Sequence, residues 1–266
     1  MWYQDQNHFK NENGYEINNQ WYPRVTRILE IKSKPTLEQF FKEVGHYSSA
    51  EEVKNKSAAE GSLVHNTIEQ LMLGKPTDVA DGIKPAVAAF QEFNEGRRIV
   101  FHPEFVECRV WSLRHRYAGT VDALATVDGK FGVLDIKTSA GFYPEYNLQT
   151  AAYVSALQEF ETKRTLQLPR DIETRWILRV DQHRPCRTCG AVLREKGGRS
   201  KIRTPKGRTS GAATCPDEKH EWAELRGDVE LREFPYLYRD TKAFIAAKTL
   251  WEWEHGYWLR HIGYIK

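Results

Sequence analysis

The sequence predicts an α/β protein: a mixed sheet flanked by helices, with a small metal-binding insertion. Three observations carry that expectation. Helical patterning dominates the first hundred residues, short β-rich runs separated by turns follow, and helix and strand then alternate to the end. A C-x-x-C lies inside a strongly basic stretch between two strand-like runs. The length of 266 residues allows one large domain or two modest ones. Aromatic residues make up 12% of the chain, with 8 Trp, which excludes a disordered chain.

The elements follow in order. Asn11 to Tyr15 carries Asn-Gly turn chemistry, and Trp21 to Leu29 has the β-branched and aromatic content of a strand. Thr36 to Val44 reads as a short helix behind Pro35. Ser57-Ala-Ala-Glu60 matches a capping box that would open a helix running to about Leu73, with Val64, Ile68, Leu71 and Met72 as its apolar stripe. A second helix fits Lys84 to Arg97, with Pro85 in its first turn. Phe105 to Leu113, Tyr117 to Val127 and Phe131 to Lys137 read as strands, the last two joined by an Asp128-Gly129 hairpin. A helix over Pro144 to Glu161, a strand over Arg175 to Val180, one or two strands within Trp222 to Phe234 and a helix over Thr241 to Glu254 complete the pattern.

Arg184 to Ser210 holds nine Lys or Arg against Glu195, with Gly197-Gly198 and Gly207 breaking it. It reads as a flexible basic insertion. This divides the chain into a main domain, 1–180 with 222–266, and an insertion, 181–221. Within the main domain, 1–98 is the helical and N-terminal part and the sheet begins at 99. The N-terminus has no apolar h-region and no segment reaches the length of a membrane span, so a cytoplasmic protein without membrane contact is expected.

The chemistry-bearing residues concentrate in two places. Gly119-Thr-Val-Asp122 and Asp135-Ile-Lys137 flank the expected hairpin, which would fold Asp122 beside Asp135. Strand alternation sends Asp135 and Lys137 to one face. Paired carboxylates suit a hard divalent cation, and a neighbouring lysine can orient an attacking water and offset phosphate charge. Three further features accompany them: Gly61-Ser-Leu-Val-His65 on a helix, Glu107 inside a strand-like run, and Gln149 with Tyr153 at i, i+4 spacing.

The other place is the cysteine cluster. Cys186-Arg-Thr-Cys189-Gly190 followed by Cys215 and His220 has the pattern of a structural zinc site, with His183 as a competing fourth ligand. The basic run lies between its halves. Arg194, Lys196, Arg199, Lys201, Arg203, Lys206 and Arg208 are candidates for phosphate contacts without base specificity. Trp251, Trp253, Tyr257 and Trp258 could stack on unpaired bases, although packing of the last helix explains most of them.

The ordered set over Ser57 to Tyr153 (G-x-x-x-H, strand Glu, G-x-x-D, D-x-K, Q-x-x-x-Y) resembles the PD-(D/E)XK nuclease superfamily, specifically its RecB-type branch of phage and bacterial exonucleases. The Val25 to Leu29 run is similar to a leader segment of some phage-type members. The resemblance implies a restriction-endonuclease-like sheet and Mg- or Mn-dependent hydrolysis of DNA phosphodiesters, at ends or single strands, in DNA repair or recombination. It implies His65, Asp122, Asp135 and the Ile136 carbonyl as metal ligands and Lys137 as the catalytic lysine. Gln149 and Tyr153 would contact the scissile strand or steady the lysine, and Glu107 would be a further or supporting acid. A subgroup carries an iron–sulfur cluster on four cysteines, one of them preceding the helical His. This chain has no cysteine before His65, so zinc is expected at the cysteine cluster. The alternative is a non-catalytic, zinc-stabilised DNA-binding or recombination-accessory protein on a nuclease scaffold.

Overall fold

The computed structural model describes residues 3–32, 40–43, 46–204, 215–216 and 219–266. Helix α1 (Gln6–Asn13) is capped by Asp5, whose carboxylate accepts the His8 N–H at 2.7 Å. It leads into a hairpin of β1 (Gly14–Ile17) and β2 (Gln20–Pro23). The turn falls at Asn18-Asn19, both at positive φ, not at Asn13-Gly14. The strand expected over Trp21 to Leu29 ends at Pro23, and Val25–Ile28 forms a helical turn, α2. Val25 and Ile28, three apart, are both fully buried, so the helical period wins over β-propensity there. Of the helix expected at 36–44, residues 40–43 are helical and the rest lie outside the described residues.

The long helix α3 (Tyr47–Met72) begins ten residues before the expected capping box. Ser57 is interior to it, and Glu60 instead accepts the Gly197 N–H at 3.1 Å through both carboxylate oxygens. Helix α4 (Lys84–Arg97) has the expected bounds. After β3 (Val100–Phe101), the chain forms a separate hairpin of β4 (Cys108–Ser112) and β5 (Tyr117–Val121). The single strand expected over Tyr117 to Val127 is broken at Asp122. β5 pairs with β4, whereas β6 (Ala123–Val127) turns through Asp128-Gly129 to pair with β7 (Lys130–Lys137). The expected helix over 144–161 is also split, into α5 (Pro144–Leu157) and α6 (Phe160–Leu166). Glu159 lies between them because its carboxylate accepts the Leu113 and Arg114 N–H groups of the β4–β5 turn, at 2.8 and 3.2 Å.

Strand β8 (Thr174–Pro185) is twice the expected length and organises the rest. It runs parallel to β7 on one side and antiparallel to β11 (Arg226–Glu233) on the other. Its far end pairs with β9 (Val192–Lys196), which turns at Gly197-Gly198 into β10 (Arg199–Arg203). The basic insertion, expected to be flexible, is over 192–203 an ordered hairpin that continues the sheet. The main sheet therefore runs β10-β9-β8-β7-β6-β3, with β11 also on β8.

Both sheet faces are covered. Val64, Ile68, Val87 and Phe90 of α3 and α4 pack on Leu134, Ile136 and Leu178. The opposite face carries Phe131 and Val133 against α5, α7 (Tyr238–Glu254) and α8 (Gly256–His261). Strand β7, buried from Phe131 to Ile136 and apolar there except at Asp135, is the central strand. Among the C-terminal aromatics, Trp251 and Trp258 stack on Phe9, while Trp253 and Tyr257 are exposed. Among the described residues no helix is long and apolar enough to cross a membrane.

Candidate functional site

The antiparallel ladder pairs Ala123 with Leu134, so its next step brings Asp122 opposite Asp135 at the end of β7. Asp122 is held by two bonds. Its Oδ2 accepts the Ile136 N–H at 2.6 Å and lies 3.0 Å from His65 Nε2. Glu107 precedes β4 at φ 52°, and its N–H donates to the Asp122 carbonyl at 3.0 Å. It is therefore a bend residue, not the strand residue expected, and the bend delivers its carboxylate to the site. Ligand atoms of His65, Glu107 and Asp122 all lie within 4.8 Å of one another.

Asp135 is wholly buried beside them. Its Oδ1 accepts Gln149 Nε2 at 3.0 Å, and its Oδ2 lies 2.6 Å from Lys137 Nζ without an aligned hydrogen bond. Of the expected ligands, His65 and Asp122 group with Glu107, and Asp135 is turned toward Lys137 and Gln149. The glycines of the motifs have steric reasons. A Cβ on Gly61 would meet Thr138 Oγ1 at 2.5 Å, so a larger residue here would have to displace the Thr138 side chain where α3 passes the end of β7. A Cβ on Gly119 would meet the Tyr153 ring at 2.3 Å.

Tyr153 is buried, and its hydroxyl accepts from Gln149 Nε2 at 3.0 Å. Gln149 steadies Asp135, and the ring beneath Lys137 is Tyr146, 5.1 Å from Nζ. Glu69, which the sequence reading omitted, pairs with His65 Nδ1. Its signal was plain i, i+4 spacing from His65 on one helix face.

The charges at this site are unbalanced. Burial opposes protonation of His65, but Asp122, Glu69 and Glu107 outweigh it and push its pKa up to about 9. Asp122 is held below the usual carboxylate range, because His65, Lys137 and the Ile136 N–H overcome its burial. Burial and the Asp122 charge raise Asp135 against the pull of Lys137. The Glu107 carboxyl is raised by desolvation and by Glu69, although its side chain reaches solvent. Four acids share one imidazole and one ammonium group. A hard divalent cation fits that excess of oxygen charge, with Asp135 Oδ2 already facing one cation, the Lys137 ammonium, at 2.6 Å.

Cys186, Cys189, Cys215 and His220 converge about 30 residues of sequence apart, their ligand atoms all within 4.8 Å. Cys189 Sγ lies 3.5 Å from His220 Nδ1. Bond lengths of about 2.3 Å to sulfur and 2.0–2.1 Å to nitrogen at tetrahedral angles imply about 3.6 Å for that edge, so a single zinc ion fits. Four ligand atoms this close surround one point, whereas a multi-iron cluster gives each iron its own thiolate and spreads them. Backbone N–H groups, first that of Cys189, lower the Cys186 thiol, and Cys189 is lowered likewise. Cys215 is raised by burial and by those two sulfurs, a repulsion that a cation would relieve. His183 stands apart, 3.9 Å from Asp228 across β11, and is not in the set. Cys108 is elsewhere too, in β4, its thiol pushed up to about 11 by burial.

The basic candidates on β9 and β10 lean toward the loop after Lys137. Arg194 pairs with Asp181 at 2.6 Å, Lys196 donates to the Thr138 carbonyl, and Arg203 donates to that of Ala140 at 2.7 Å. Arg199 and Lys201 lie 2.7 and 3.7 Å from Glu43. Lys206 and Arg208 lie outside the described residues. No family model matches the chain, and no curated protein matches it.

Proposed function

We propose that the chain is a metal-dependent nuclease of the PD-(D/E)XK, RecB-like kind. One observation carries the reading: a fully buried Asp135, opposite Asp122 at a strand end, ion-paired with a lysine two residues on. The motif order noted in the sequence supports it. A divalent ion bound by His65, Asp122 and Glu107 with Asp135 alongside would polarise the phosphoryl group and acidify its bound water.

The chain's own residues supply the rest. Gln149 fixes the Asp135 carboxylate through Oδ1 and leaves Oδ2 facing Lys137. Burial disfavours the Lys137 ammonium, but Asp135 and Asp122 overcome this and keep it charged. It can therefore offset the phosphate's negative charge and orient the attacking water by donating a hydrogen bond. Glu69 holds the His65 ring in place from behind. The Cys/His set, bearing a structural zinc ion, would pin the loop that leads into and out of the basic hairpin.

The test is a panel of 5′- and 3′-labelled duplex and single-stranded DNA with Mg or Mn. The wild type is expected to shorten at least one substrate. Lys137→Ala should slow cleavage by about 10²–10⁴-fold and Asp135→Asn at least as much, with unchanged circular dichroism. Wild-type protein that cleaves nothing in either metal sinks the proposal.

A further inference from the structure

We infer that the cavity enclosed by α3, the β9–β10 hairpin and the start of α5 holds an unpaired polynucleotide strand next to the reacting phosphodiester. The inference rests on the nuclease reading for its position, but stands on the cavity's own chemistry. Its volume is about 680 Å³, and seven Lys or Arg line it against two Glu. A smaller recess of about 300 Å³, lined by His65 and Lys137, shares Ser57, Ala58, Thr138, Ser139 and Tyr146 with it. The two spaces therefore adjoin, and a strand whose phosphate reached Lys137 would continue into the cationic one.

Size and lining choose the occupant. Pockets of about 300–1,000 Å³ enclose one small organic ligand, which here means one or two nucleotides and no duplex. Phe40, Tyr143 and Tyr146 are the aromatic residues of the wall. Tyr143 and Tyr146 meet edge to face, with centroids 5.5 Å apart. Aromatic faces beside cations form the usual platform for bases freed from pairing. Burial and the neighbouring Arg194 hold Lys196 down to about 8, so an incoming phosphate would restore its full charge. Five of the seven Lys and Arg in the wall come from the β9–β10 hairpin that adjoins the Cys/His module. That gives the module a task at the substrate, beyond staying folded. Ribose and deoxyribose strands share the phosphate and base chemistry invoked.

Binding is measured by fluorescence anisotropy on Asp135→Asn protein without added divalent ion. The probes are labelled oligo-dT and oligo-rU dodecamers and a duplex of equal length. A single strand should bind at least tenfold more tightly than duplex, and the tighter dodecamer identifies the sugar. Lys54→Glu and Lys201→Glu alter exposed lining residues and should each weaken single-strand binding about tenfold. Each lost phosphate contact should flatten the dependence of log affinity on log salt by about 0.7. Tyr143→Ala should cost at least about fivefold through lost stacking. Variants that bind the dodecamers like their parent overturn the cavity assignment, even if wild-type protein cleaves DNA. Duplex bound as tightly, and weakened by the same factors, overturns it too. Selective single-strand binding that Lys54→Glu and Lys201→Glu each weaken about tenfold, in a wild type that never cleaves, upholds the cavity and discards the nuclease.

Discussion

His65 is hydrogen-bonded through both ring nitrogens, to Asp122 at Nε2 and to Glu69 at Nδ1, and so is held as an imidazolium while no metal is bound. Its folded-state pKa of about 9 lies above the ordinary 6.5. The pair therefore adds stability fully below pH 6.5, and that stability is lost as pH rises toward 9. Without divalent ions, the Tm gap between wild type and His65→Gln should be widest near pH 6 and close by pH 9. A metal ligand must be a neutral imidazole, so the rise in Tm on adding Mn should grow over the same interval. A Tm gap that is flat with pH would show that the ion pair does not form in solution. At this scale much was legible: the glycines, the histidine, both aspartates and the lysine fall in one sequence order and meet at one strand end. Glu69 was missed because an acid four residues from a histidine is ordinary on a solvated helix face. The burial of Tyr153 was not legible, because its spacing from Gln149 fixes the helix face, not whether the hydroxyl points inward.

Among the elements, β8 depends on one buried cation. Arg175 is 2% exposed and donates to the carbonyls of Asn147, Phe234 and Tyr236 and to Asp240, tying β8 to α5, β11 and the start of α7. Arg175→Ala would take the shared donor away from these part-buried acceptors, which should destabilise the fold by roughly 1–3 kcal/mol. Urea unfolding measures this, and a loss under about 1 kcal/mol would show that water replaces the guanidinium. Cleavage per folded molecule should not change, because Arg175 touches no site residue. The elements legible in sequence were those with a local signal. The α4 bounds followed from periodicity and Pro85, and the β6–β7 turn from Asp128-Gly129. The first ten residues of α3 and the β9–β10 hairpin were not, because both are mostly polar. They are held by partners far away in sequence, such as Glu60 on Gly197.

The whole molecule separates its charge. The net charge is +3, yet 184–210 carries +8 and the remainder −5. The fold sets the described part of that cationic stretch beside the acidic cluster, which was expected only in outline from composition. If a zinc ion joins the two halves, metal analysis should find about one equivalent in colourless protein. Cys189→Ser should lower Tm and single-strand affinity together. Brown, iron-bearing protein would overturn the assignment. The geometry of this arrangement is set by β8, since Ile177 and Arg179 lie beside Asp135 and Lys137 and Pro185 opens the cysteine knuckle. The strand works as a ruler. The gap between acidic cluster and cationic wall is counted in residues of a single strand, each about 3.3 Å. Adding one residue would turn the module to the other side of the sheet, so the gap can be retuned only in steps of two.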